Sequence, residues 1–234
     1  MQNLLVEIWS DFRDDPDTDV AIVASAGDAF CAGADLKTYI PPFLRGECSL
    51  RDTVNLGFGG IARGLHKIHK PMIAAVNGWA LAVGLEQALA CDIRIASERA
   101  KFGSFEARRG YHHGDGGIMR MVNACGASVA SHMLLTAEPI DAHQALRWNL
   151  VSRVVPHDQL MPEAEVIAAQ ILRNAQPAVR SAKETIQDVI GKDLDAQLRI
   201  EAWNAYTCLD IDQTTERLQR FYDETDVDWA TRSC

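Results

Sequence analysis

Glu86 sits where a strand hands over to a helix. In Lys70-Pro-Met-Ile-Ala-Ala-Val-Asn-Gly-Trp-Ala-Leu-Ala-Val-Gly-Leu-Glu86, the apolar run Met72 to Val76 lies between Pro71 and Asn77-Gly78. It reads as a buried strand closed by a tight turn. Leu85 to Ala90 consists of good helix formers. A helix start leaves backbone N–H groups without partners and carries positive dipole character. The small residues around it, Ala82, Val83 and Gly84, let a ligand oxygen reach those groups. Glu86 lies about one turn into this helix, on an otherwise apolar element. Alone, such a glutamate is more often a surface or helix-start residue that suits the dipole. A second stretch of the same design shifts that balance. Val20 to Ala24 is a short β-branched run, and Ser25 to Lys37 reads as a second strand, a small-residue turn at Cys31 to Ala34, and a helix from Asp35. Each turn can offer backbone N–H groups to one and the same ligand atom.

The elements that would hold these turns follow from periodicity. Residues 2–14 read as an amphipathic helix with Leu4, Leu5, Ile8, Trp9 and Phe12 on one side. Residues 39–49 contain Pro41-Pro42 and Gly46 and read as a loop or broken helix. Residues 50–69 read as helical despite Gly57, Gly59, Gly60 and Gly64. Residues 92–96 form a strand, 118–125 and 127–135 two helices parted by Gly126, 142–148 a short helix and 150–155 a strand. From Gln159 the pattern is helical, over 160–175, 177–191, 193–208 and 212–222. Alternating strands and helices followed by helices alone give an α/β core with a helical C-terminal part.

Composition excludes several classes. The chain has 234 residues, a formal net charge of −9 and 47% hydrophobic residues, enough for one large domain or a domain with an appendage. The acidic balance disfavours nonspecific nucleic-acid binding, while a small anionic ligand needs only local cations and helix starts. No apolar run is long enough to span a membrane, and the N-terminus lacks the basic start and cleavage site of a secretory signal. Cys31, Cys48, Cys91, Cys125, Cys208 and Cys234 are scattered without a C-x-x-C pair. That pattern points to reduced thiols in a cytoplasmic protein.

Several separated motifs, in order, resemble the crotonase, or enoyl-CoA hydratase/isomerase, superfamily. They are Ala29-Phe-Cys-Ala-Gly-Ala-Asp-Leu-Lys37, the stretch Lys70 to Asp92, Lys101-Phe-Gly-Ser-Phe-Glu106, the segment Gly110 to Arg120, Asp141-Ala-x-x-Ala145 and Leu150-Val-Ser-Arg-Val154. The resemblance covers roughly residues 20–190. It implies an α/β crotonase-like spiral of repeated strand–strand–helix units over 1–175 and a helical trimerisation region over 176–234, assembled as a homotrimer or a dimer of trimers. It implies an acyl-CoA thioester as substrate, whose carbonyl oxygen is held by the amides of Ala34 and Val83. Ala32, Ala34, Asp35, Leu36, Lys37 and Val83 fall where the family binds coenzyme A, with Lys37 as the side-chain contact. CoA enters with the substrate; no metal, redox cofactor, nucleic-acid or membrane partner is expected. Both positions of a hydratase's glutamate pair are occupied, by Glu86 and Glu106. The expected activity is an enoyl-CoA hydratase of fatty-acid-type metabolism. Glu86 activates the water that adds to C3, and Glu106 exchanges a proton with C2. The alternatives are an enoyl-CoA isomerase, an acyl-CoA decarboxylase, a thioester hydrolase, or a non-catalytic acyl-CoA-binding protein. Read without the resemblance, Glu106 is a helix-start glutamate pairing with Arg108 or Arg109.

The chain also departs from the family pattern. It begins at the first helix, where members carry a strand pair: either the sequence is a truncated form, or the fold tolerates losing two strands and an exposed sheet edge then needs cover. Val83 stands where a glycine is usual; a backbone donor survives that change. Tyr222-Asp223-Glu224 replaces a basic ending that reaches CoA from a neighbouring subunit. Tyr111-His-His-Gly-Asp-Gly-Gly117 replaces an apolar-Pro-Gly-small-Gly-Gly segment. His112, His113 and Asp115 there could select a polar acyl group or add a third acid–base group. A plain loop is the favoured reading, and adjacent histidines on a turn rarely converge on one metal. Tyr39, Pro41, Phe43 and Trp79 are candidates for shaping the acyl pocket. The remaining histidines, His66, His69, His132, His143 and His157, read as structural or surface residues.

Overall fold

In chain order the elements are α1 (Gln2–Asp14), β1 (Ala21–Val23), α2 (Ile40–Leu44), α3 (Leu50–Leu56), β2 (Met72–Val76), β3 (Trp79–Leu81), α4 (Val83–Ala90), β4 (Ile93–Ser97), β5 (Lys101–Gly103) and a 3-10 turn (Glu106–Arg109). Then come α5 (Gly117–Thr136), β6 (Ile140–Asp141), α6 (Ala142–Arg147), β7 (Arg153–Val155), α7 (Leu160–Leu172), α8 (Gln176–Val189), α9 (Leu194–Thr207) and α10 (Ile211–Glu224). They belong to a computed structural model that describes residues 2–57, 60–65 and 67–224. Gly59, His66 and Cys234 lie outside the described residues.

The strands form two sheets, a parallel one ordered β1-β2-β4-β7 and a smaller one ordered β3-β5-β6. Two strand–strand–helix units repeat, β2–β3–α4 and β4–β5–α5, each giving its first strand to the larger sheet and its second to the smaller. β2 is the centre of this arrangement. All five of its residues are buried, as expected of a parallel strand covered on both faces. Its side chains alternate between two cores. Met72, Ala74 and Val76 join Leu85, Ala88 and Leu89 of α4 and Met121 and Met133 of α5. Ile73 and Ala75 join Ile95 and the α7 residues Leu160, Ala164 and Ile167. The chain forms two compact units, 1–171 and 172–234. Within the second, α8 and α9 are tied by Ser181 Oγ donating to Asn204 O and by Asn204 Nδ2 donating to Thr185 Oγ1.

Several expectations need correction. No helix starts at Asp35: its carboxylate accepts from the Lys37 N–H and the Thr38 hydroxyl, which closes a turn. The helical piece begins at Ile40, with prolines in its first turn. Residues 50–69 are not one helix; α3 stops at Gly57, whose φ is 64°. The strands β3 and β6, with three and two residues, are too short to show a period. On α1, Trp9 is buried and Leu5 and Phe12 pack against the core, but Leu4 and Ile8 are exposed. The five residues span an arc of about 140° at 3.6 residues per turn, and the core meets only its far side. The break at Gly126 is present, with φ 80° and ψ 161°.

Candidate active site

Backbone bonds hold the two small-residue turns against each other. Cys31 N–H donates to Trp79 O at 3.0 Å, Leu81 N–H to Cys31 O at 2.9 Å, and Ala82 N–H to Gly103 O at 3.0 Å. Asn77 Nδ2 adds a bond to Gly27 O at 2.6 Å. The approach demands glycine: a Cβ on Gly84 would lie 2.2 Å from Cys31 O, and one on Gly78 would lie 2.0 Å from Asp28 O. A Cβ on Gly33 would come 3.6 Å from Val83 N, so the first turn lies directly beside the start of α4. Ala82 caps α4 at φ 53° and ψ −121°, a strained conformation for a residue with a side chain. Among the described residues, neither Ala34 nor Val83 donates its amide to a backbone carbonyl.

Both residues line one cavity of about 100 Å³, together with Ala32, Leu36, Tyr39 and Glu106. Arg109 and Tyr111 also reach it. Asp35 and Lys37, the other two residues expected at coenzyme A, are exposed and do not line the cavity. Of the residues expected to shape the acyl pocket, Tyr39 does line it. Phe43 lines a neighbouring groove instead. Trp79 packs against Phe105 and carries Lys101 Nζ 5.0 Å above its ring.

Glu86 and Glu106 meet on the two sides of His113. Glu86 is 1% exposed; its Oε1 accepts from Asp115 N–H at 2.8 Å and Gly117 N–H at 3.2 Å. Glu106 is buried too, and its Oε2 accepts from the Ser104 hydroxyl at 3.1 Å. His113 Nδ1 lies 3.2 Å from Glu86 Oε1 and 3.0 Å from Glu106 Oε1. Neither contact is aligned as a hydrogen bond, so the two carboxyl groups attract the ring through charge when it is protonated. Burial pushes the Glu86 carboxyl up, but His113 and the two amides outweigh it and hold the group below the usual carboxylate range. Burial pushes the His113 imidazole down, and Glu86, then Glu106 and Asp115, outweigh that and raise it.

The 111–117 segment is therefore not a plain loop. His113 is enclosed, Asp115 Oδ1 accepts from Arg63 Nη2 at 2.9 Å, and Arg120 Nη1 donates to Asp115 O at 3.0 Å. His112 stays at the surface, its Nδ1 2.7 Å from His113 O. Gly117 makes room: a Cβ there would lie 2.7 Å from His113 Cγ and 2.9 Å from Glu86 Cγ. Glu106 pairs with neither nearby arginine. Arg108 binds Ala137 O and Glu138, and Arg109 Nη1 binds Phe105 O. The burial of His113 was not legible locally, because its partners come from α4 and the 3-10 turn. Among the described residues, no cluster of His, Cys, Asp and Glu could hold a metal ion, and no helix is long and apolar enough to cross a membrane.

The family model for enoyl-CoA hydratase/isomerase matches residues 1–232. A crotonyl-CoA hydratase of Syntrophomonas wolfei is 35% identical over 223 residues, 94% of this chain and 84% of that protein. An (E)-benzylidenesuccinyl-CoA hydratase of Thauera aromatica is 41% identical over 191 residues, 81% of this chain and 72% of that protein. The crystal structure of an enoyl-CoA hydratase from Bacillus anthracis superposes with a TM-score of 0.85 at 34% identity, covering 95% of this chain and 85% of the other.

Proposed function

Since the chain belongs to the enoyl-CoA hydratase/isomerase family, whose members act on acyl-CoA thioesters, we propose that it adds water reversibly across the 2,3 double bond of a 2-enoyl-CoA. The observation that carries this reading is the convergence of Glu86 and Glu106 on one imidazole, with Glu106 in the same cavity as Ala34 and Val83. In the proposed reaction the thioester oxygen accepts from the amides of Ala34 and Val83. The start of α4 adds its positive end. As charge builds on that oxygen the two donors hold it, and losing one such donor typically costs ~100–1000-fold in rate. Glu86, held ionised, takes a proton from water whose oxygen bonds to C3. Glu106 gives a proton to C2. The addition is redox-neutral and needs only these proton transfers.

Ala32 and Leu36 would flank the pantetheine arm. Lys37, beside the cavity, would reach a CoA phosphate. The proposed assembly is a homotrimer or dimer of trimers built by residues 176–234. Exposed Ile186, Ile190, Leu194, Leu198, Trp203 and Tyr206 in α8, α9 and the link between them support it. The proposed location is the cytoplasm, in line with free thiols at Cys31, Cys48, Cys91, Cys125 and Cys208.

The test is turnover of crotonyl-CoA, followed by loss of conjugated-thioester absorbance, for wild type, Glu86→Gln and Glu106→Gln. The wild type hydrates the substrate, and each variant loses at least ~100-fold in kcat. A variant with wild-type turnover removes the role given to that glutamate. Preferential turnover of a 3-enoyl-CoA would make the protein an isomerase.

A further inference from the structure

The two-glutamate reaction leaves a proton in the wrong place. After one hydration Glu86 holds the proton from water, and Glu106 lacks the one it gave to C2. Over the cycle one O–H bond of water and the C2=C3 π bond break, C3–O and C2–H bonds form, and the protein neither gains nor loses a proton. One proton must still travel from Glu86 to Glu106 before the next turnover. Both acids are buried, and an internal path spares the reset from waiting on water in the cavity.

His113 Nδ1 stands between the two Oε1 atoms, 3.2 Å from one and 3.0 Å from the other. Its side chain is wholly enclosed, and Nε2 has no hydrogen-bond partner. A single nitrogen thus faces acids carried by two different elements, off line from both. A small rotation of the ring aims its N–H at either.

We propose that His113 is a positioning residue for both glutamates: its Nδ1 holds the shared proton between turnovers and carries it from Glu86 to Glu106. This rests on the hydratase reading. The charges facing the ring favour a cation there. Glu86 comes from α4, Glu106 from the 3-10 turn and Asp115 from the ring's own loop. Against them stand Arg63, paired with Asp115, and Arg120 of α5. Three carboxyl groups facing two guanidiniums leave one formal negative charge, which an imidazolium balances. Tyr39 and Tyr111 add none, since burial first and nearby carboxylates second hold their hydroxyls neutral. When Glu86 becomes an acid, the amides of Asp115 and Gly117 still favour its ionised form, so its proton passes to Nδ1 and from there to the Glu106 carboxylate 3.0 Å away.

Two measurements test this. The first is the 15N NMR titration of the imidazole signal absent from His113→Gln. In wild type it stays protonated above the ordinary 6.5, and Glu86→Gln and Glu106→Gln each lower it. The second is the pH profile of kcat and KM for crotonyl-CoA. His113→Gln keeps a donor of similar size but carries no proton. It loses roughly 100-fold in kcat with little change in KM, and added imidazole restores part of kcat to His113→Ala. A neutral His113 at neutral pH, or a His113→Gln enzyme with the wild-type kcat and pH profile, overturns the proposal. A wild type that hydrates no enoyl-CoA overturns the hydratase reading instead, and the titration still decides where the proton sits.

Discussion

Adding one methyl group at Gly117 should disable the site without touching a charged residue. A Cβ there would lie 2.7 Å from both Cγ and Nδ1 of His113 and 2.9 Å from Glu86 Cγ. All three atoms belong to buried side chains, and Glu86 is anchored by two backbone amides. The φ of Gly117 lies outside the left-handed range, so the effect is steric rather than conformational. Overpacking of this kind costs about 1–3 kcal/mol. For a domain of this size, that lowers the melting temperature by about 2–12 °C. Gly114→Ala is the internal control. It lies in the same loop with nothing within 4 Å of its added Cβ, and its stability should be unchanged or raised by up to ~1 kcal/mol. Thermal melts of both variants, with kcat for crotonyl-CoA, make the comparison. Gly117→Ala should lose kcat as well, because the ring can yield only by moving Nδ1 off the carboxylates. If the two variants melt together, or Gly117→Ala keeps wild-type kcat, the tight packing of Gly117, His113 and Glu86 is refuted.

Two further outcomes are expected. Ala82→Gly relieves the strained cap of α4 and should stabilise by about 1 kcal/mol once glycine's greater chain entropy is offset, whereas Ala82→Val should destabilise; melting temperatures in the opposite order would show that no strain is stored there. The pH dependence of stability has a defined sign at each end. Glu86 is held below its ordinary 4.5, so its contribution is present above 4.5 and fades as the pH falls through the folded value. His113 is raised above 6.5, so its contribution is complete below 6.5 and fades as the pH climbs through the folded value. Melting temperature against pH should therefore converge for wild type and His113→Gln on the alkaline side, and for wild type and Glu86→Gln on the acid side; parallel curves would refute the linkage.

Much of the core was legible because it depends on short-range pattern. Met72 to Val76 is a continuous apolar run because both of its faces are covered, and Gly126 breaks α5 because glycine takes a φ of 80° without cost. The two turns could be matched by their small residues, although only the second opens a helix. What escaped was decided by distant or competing groups. Asp35 forms a turn because its carboxylate takes two donors that a helix would have placed elsewhere. β3 exists because Trp79, Ala80 and Leu81 pair with Lys101, Phe102 and Gly103, which no local period reveals. His113 sits in a polar, glycine-rich run that looks solvated. Its burial follows from Glu86 and Glu106, and from a glycine at 117 that leaves the space.

The seam between the two turns also sets when the protein becomes competent. Asn77 reaches Gly27 across 50 positions, and Cys31 bonds on both sides of the stretch from Trp79 to Leu81. Closing so long a loop costs entropy that nearby contacts do not repay, whereas helices such as α5 and α9 form from neighbours in sequence. During refolding from denaturant, far-UV ellipticity should thus recover ahead of turnover, because a chain can be largely helical while its paired amides do not yet exist.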